Sequence, residues 1–181
     1  MNDEPLHAAG FPAVDLILSV EDAAWDTVLP DAERLVAEAA GAALAAAGMT
    51  AGLATEVGVT LADDEALRGL NAEWRGKDKP TNILSFPIVQ LKPGNVPGPM
   101  AGDMVLALQT LEREASRDGK TLADHFRHLI VHGMLHLLGY DHEEAEEAEE
   151  MERLEVLVLS TLAIADPYAD SGGVAGVDPA E

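Results

Sequence analysis

The sequence predicts a single domain of the α/β or α+β class, and three observations predict it. Short β-branched segments alternate with stretches of helical periodicity along the chain. The length, 181 residues, suits one domain with a real hydrophobic core and a short tail. The apolar fraction, 48%, is ordinary for a globular chain. Alanine supplies much of it and aromatics only 4%, so an aliphatic core is expected.

Val14 to Val20 is apolar and β-branched and reads as a strand. Pro30-Asp31 opens an alanine-rich helix to about Ala47, ended by Gly48. Thr55 to Leu61 alternates and reads as a second strand. Asp63 to Trp74 is helical, with Leu67, Leu70 and Trp74 at helical spacing. Arg75 to Pro80 is a charged loop. Asn82 to Phe86 is a short strand stopped by Pro87, and a Pro/Gly-rich loop runs from Lys92 to Gly102. Asp103 to Leu108 is a strand, and Gln109 to Arg117 a helix closed by Gly119. Thr121 and Asp124 form a T-x-x-D capping box, in which hydroxyl and carboxylate each satisfy a free backbone N–H. The helix it starts runs to Leu138 and ends at Gly139, with Leu122, Phe126, Leu129 and Leu137 on its buried face. Glu143 to Ile164 is a last helix whose acidic first turns suit a positive helix N-terminus. The domain is thus expected over 1–165, followed by an acidic, disordered tail over 166–181.

The chain has no cysteine, so disulfides and thiolate metal sites are excluded. No apolar run approaches the roughly 20 residues that span a bilayer. The start, Met1-Asn2-Asp3-Glu4-Pro5, is acidic where a secretory signal would be basic, so a cytoplasmic location and no membrane partner are expected. The net charge of -22 argues against a nucleic-acid partner, but the charge is unevenly spread. Between Arg68 and His142 nine basic residues face eight acids, while the rest of the chain holds two basic and 25 acidic residues. The middle can face a phosphate backbone while the flanks stay acidic; the plainer reading is a set of solvated helical faces.

His132, His136 and His142 carry the chemistry. Positions i and i+4 share a helix face, so the first two rings can meet one ion. Gly139 then lets the chain turn and return His142 as a third ligand. Three neutral imidazoles leave one tetrahedral position for water, the pattern of a catalytic rather than a structural zinc site. One zinc ion per chain is expected. The spacing H-x-x-x-H-x-x-G-x-x-H equals that of metzincin proteases, but Gly133 stands where those proteases place the general-base Glu, so proteolysis is rejected. His125 and His128 are left outside the ligand set, although His128, one turn before His132, could support a ligand from behind. His7 falls in a loose N-terminus. Arg75 can bind a phosphate bidentately and stabilise charge gained in a transition state. Its plainer reading is a surface ion pair. Lys77 and Lys79 are read as solubilising, and Asp141 as either a base beside a ligand or the N-cap of the last helix.

These residues resemble the bacterial YbeY family of metal-dependent endoribonucleases, also called rRNA maturation factors. Leu70 to Pro87 is similar to the family's second signature and Gly102 to Val105 to its third, and the shared pattern covers most of residues 14–160. The resemblance implies an α/β fold with a central mixed sheet and zinc on the three matched histidines. It implies cleavage of single-stranded RNA in small-subunit rRNA processing, maturation and ribosome quality control, with the ribosomal particle as partner and no DNA. It also implies that Arg75 is a functional residue near the metal. Asn82 departs from the pattern, since many members have Asp there. Two rival readings stand beside it: a metal hydrolase of another phosphoester or amide, and a non-catalytic assembly factor with structural zinc.

Overall fold

The computed structural model describes residues 4–169. It holds a five-stranded mixed sheet with six helices, an α+β domain as the sequence predicts. The strands are β1 (Leu6–Ala8), β2 (Phe11–Val20), β3 (Thr55–Ala62), β4 (Ile83–Pro87) and β5 (Met100–Ala107). The helices are α1 (Ala24–Val28), α2 (Ala32–Ala46), α3 (Asp64–Arg75), α4 (Leu108–Arg117), α5 (Leu122–Leu137) and α6 (Ala145–Thr161). The spatial order is β1-β2-β3-β5-β4, with β2, β3 and β5 parallel and the two edge strands antiparallel to their neighbours.

The strand register explains which face is which. Leu16, Val57 and Val59 share one face with Met104, Leu106 and Ile83, and all are buried. Against them pack α2 and α5, with α6 behind, in the main core. The other face is covered only near β4 and β5. There Leu67 of α3 meets Ala62, Leu84 and Ala107, with Phe86 and Val105 at the margin. The two helices that carry the sequence candidates, α3 and α5, therefore sit on opposite faces of the same sheet end.

Three expectations need correction. His7 lies in β1, opposite Asp15 of β2, rather than in a loose end. That strand is only three residues long, too short to show an alternating pattern. Second, Thr121 does cap α5, its Oγ1 accepting the Asp124 N–H at 3.1 Å. Asp124's own carboxylate accepts from Arg127 at 2.7 Å, so a side-chain ion pair takes it where the box would use a backbone donor. Third, the described start of the expected tail docks. Pro167 is buried, and the Tyr168 hydroxyl donates to Glu155 of α6. Residues 170–181 lie outside the described residues.

Candidate metal centre

The three histidines arrive on one continuous piece of chain. His132 and His136 stand one turn apart near the end of α5, and the helix stops at Leu137. Gly139 then takes φ +99°, a conformation glycine adopts without the penalty of a side chain. A Cβ there would also lie 2.6 Å from the Leu91 carbonyl oxygen, because the 88–99 loop crosses this turn. The chain returns through Tyr140 and Asp141 to His142. The Asp141 carboxylate accepts the His142 backbone N–H at 2.7 Å, and the α6 N-cap position falls to Glu144. Asp141 therefore fixes the turn and does not cap α6.

One ring nitrogen from each of His132, His136 and His142 lies within 4.8 Å of the others, the one such histidine or carboxylate group among the described residues. The hydrogen bonds say which nitrogens are available. His136 Nδ1–H donates to the Tyr140 carbonyl at 3.0 Å, and His132 Nδ1–H to the Glu155 carboxylate. Both rings then present unprotonated Nε2 atoms, 3.0 Å apart. Two lone pairs facing each other at that distance repel unless a cation sits between them. Ligands at 2.0–2.1 Å around a tetrahedral ion lie about 3.3 Å apart, close to this spacing. The donor set thus fits a zinc-like ion, with His142 completing three ligands. Burial, and then the neighbouring His132 and His142, hold His136 well below the usual histidine range, so it is neutral and ready to ligate at neutral pH.

Gly133 explains the missing protease base. It faces the sheet, and a Cβ there would lie 2.3 Å from Met104 Sδ and 3.0 Å from Ile83 Cδ1. A glutamate at this position would be driven into the core, away from any substrate.

Glu155 is the site residue that the sequence reading missed. It is fully buried on α6 and joins His132 through Oε1. Its Oε2 accepts from Tyr168 and stands 3.6 Å from His128 Nε2, an ion-pair distance too long for a hydrogen bond. Burial alone would raise its carboxyl, but the adjacent His132 and His128 hold it below the usual carboxylate range. A carboxylate behind a ligating histidine fixes the ring's tautomer and orientation. The signal was present: Met151, Glu155, Val158 and Leu159 share the buried stripe of α6. A run of surface glutamates just before it hides the one that turns inward.

His125 is buried and pairs with Glu114 of α4 at 2.8 Å. Asn82 donates to the same carboxylate at 3.1 Å while its Oδ1 accepts the Ile83 N–H. An amide at this position suits Glu114, whereas an aspartate would set two carboxylates together. Arg75 occupies the last turn of α3, exposed, before Gly76 ends the helix in the left-handed conformation. Its neighbour Trp74 is 65% exposed and meets Phe86 of β4 edge-on at 5.9 Å, so this end of α3 lies over the edge strand.

Fold and site together define a single-domain α+β protein whose three-histidine cluster can hold a metal ion. The chain belongs to the Endoribonuclease YbeY family, whose sequence profile matches residues 19–163. Curated relatives bearing that name include proteins of Rhizobium johnstonii (47% identical, 86% of this chain and 93% of theirs) and Azorhizobium caulinodans (49%, 86% and 97%). That of Paramagnetospirillum magneticum is 47% identical over 87% of this chain and 97% of its own. A solution structure of a Thermotoga maritima protein, TM1509, covers 88% of this chain at 20% identity and TM-score 0.48, too remote to bear on the site. No helix among the described residues is long and apolar enough to cross a membrane.

Proposed function

We propose that the chain is a zinc-dependent, single-strand-specific endoribonuclease acting in small-subunit rRNA processing, maturation and ribosome quality control in the cytoplasm. The observation that carries the reading is the convergence of His132, His136 and His142 in a member of a family named for RNA cleavage. A zinc ion, when bound, supplies a Lewis acid that polarises a phosphoryl oxygen and acidifies water. The protein's own groups do the rest. His132 and His136 are held with Nε2 toward the site by Glu155 and the Tyr140 carbonyl. Arg75 clamps a phosphate through two N–H groups and stabilises charge gained in the transition state. Lys77 and Lys79 follow it on the same loop and add unspecific attraction for the RNA backbone. Three donors among the described residues fall short of the four of a closed structural site, which favours catalysis over a zinc staple.

The test incubates zinc-loaded protein with a single-stranded rRNA fragment, the same fragment annealed to its complement, and a simple phosphodiester, beside His136→Ala. Cleavage of the single strand alone, lost in His136→Ala, is expected. Equal hydrolysis of the simple ester would favour a general phosphoesterase. Stoichiometric zinc without any cleavage would favour an assembly factor.

A further inference from the structure

The segment after α6 returns to the site. Ala163 takes φ +59°, a left-handed conformation that non-glycine residues rarely adopt. The residues beyond it are well held. Ile164 and Pro167 are buried, and the Asp166 carboxylate accepts the Tyr168 N–H at 2.8 Å. The Tyr168 ring stands edge-on to His128, centroids 6.0 Å apart at 85°. Its hydroxyl reaches Glu155 Oε2, while Glu155 Oε1 holds His132.

A carboxylate gripped at one oxygen can still turn about its last torsion, which has broad, nearly two-fold wells. Gripped at both oxygens, it has a fixed plane. We propose that Tyr168 is a positioning residue for the three-histidine site: its hydroxyl locks the Glu155 carboxylate, which in turn orients His132. The C-terminal turn is then part of the metal centre, although it supplies no ligand. The proposal rests on the zinc reading above.

Tyr168→Phe removes only the hydroxyl and keeps the ring against His128. The measurement is zinc affinity by chelator competition on wild type, Tyr168→Phe, Glu155→Gln and the double variant, with melting of each metal-free protein. Loss of a residue that orients a ligand weakens metal binding by about 10–100-fold, the range expected for Glu155→Gln. Tyr168→Phe acts one step further out, and about three- to tenfold is expected from the same principle, with melting lowered modestly because one buried Glu155 oxygen loses its donor. The double variant should bind no more weakly than Glu155→Gln alone, because the hydroxyl has no other route to the metal. Cobalt-loaded Tyr168→Phe should also show altered visible absorption, reporting a reoriented ligand. Wild-type zinc affinity in Tyr168→Phe would overturn the proposal, and so would losses that multiply in the double variant. Wild type that takes up no zinc would instead overturn the metal reading and this proposal together.

Discussion

The turn that carries the histidines and the turn that carries Arg75 lie near the same end of the sheet, on opposite faces, and are held in opposite ways. Around His132 the packing is close and most polar groups are committed. Glu155 is buried and shared with Tyr168, His136 is tied to the Tyr140 carbonyl, and Gly133 and Gly139 lie against other chain segments with no room for a side chain. The end of α3 is exposed. Arg68, two turns earlier on α3, pairs with Glu65 and with Asp78 (3.1 Å), contacts that water screens and that contribute little stability. A metal ligand set needs fixed geometry, and burial supplies it. The phosphate clamp proposed for Arg75 needs the surface, where substrate would arrive. Substitutions in the first region should therefore harm fold and site together, and those in the second should harm function alone.

The severest break in that contrast is Gly133→Glu, which writes the protease base into the motif. Its side chain would enter the space held by Met104 and Ile83. Overpacking costs about 1–3 kcal/mol and an unpaired buried carboxylate more, so poor folding and a much lower melting temperature are expected. A well-folded variant with peptidase activity would show that α5 can rotate.

On the exposed side, Arg75→Lys and Arg75→Ala should keep zinc content and melting at wild-type levels. Their single-turnover RNA cleavage should fall on the order of 10²-fold, the scale of one lost oxyanion donor, with lysine little better than alanine because it lacks the planar fork. Zinc lost along with activity would move Arg75 into the buried group; unchanged cleavage would leave it a surface residue.

Acid sharpens the comparison with a smaller effect. Burial holds His128 below its ordinary 6.5, though Glu155 opposes this, and His136 is lowered as well. An unfolded chain then takes up protons that the native one refuses. Stability of the metal-free protein should be full above about pH 7 and fall as pH drops below 6.5. Urea midpoints at pH 7.5 and 5.5 check this; equal midpoints would mean that these rings charge freely in the fold.

The smallest effect concerns the far C-terminus. Ending the chain after Ala169 keeps Tyr168 and should leave melting nearly unchanged, whereas ending it after Ala165 removes Pro167 and the Tyr168 hydroxyl and should lower it. Equal melting of the two truncations would show that the docked turn adds no stability.

What could be read from the sequence follows the same division. The long helices, the three inner parallel strands and the histidine spacing are local patterns, and a helix period or an i, i+4 pair needs no partner elsewhere to be visible. The five-residue α1 and three-residue β1 are too short for a period. The insertion of β5 between β3 and β4 joins residues far apart in sequence, so nothing local announces it. Glu155 escaped for the same reason: its meaning depends on His132, 23 residues away. Asn82 looks like a departure from a family pattern until Glu114 is seen against it.

The three histidines proposed as ligands lie within a stretch of eleven residues, His132 to His142. An unfolded chain carries that stretch intact, and a transient helical turn can offer the same imidazoles to the same ion. Metal stabilises a native protein only by the difference between its affinities for the folded and unfolded states. Here the unfolded chain begins with much of the ligand set already linked. The native advantage comes from groups brought from elsewhere, above all the Glu155 carboxylate and the crossing of the 88–99 loop over Gly139. Zinc should accordingly raise the melting temperature less than its native affinity alone would suggest.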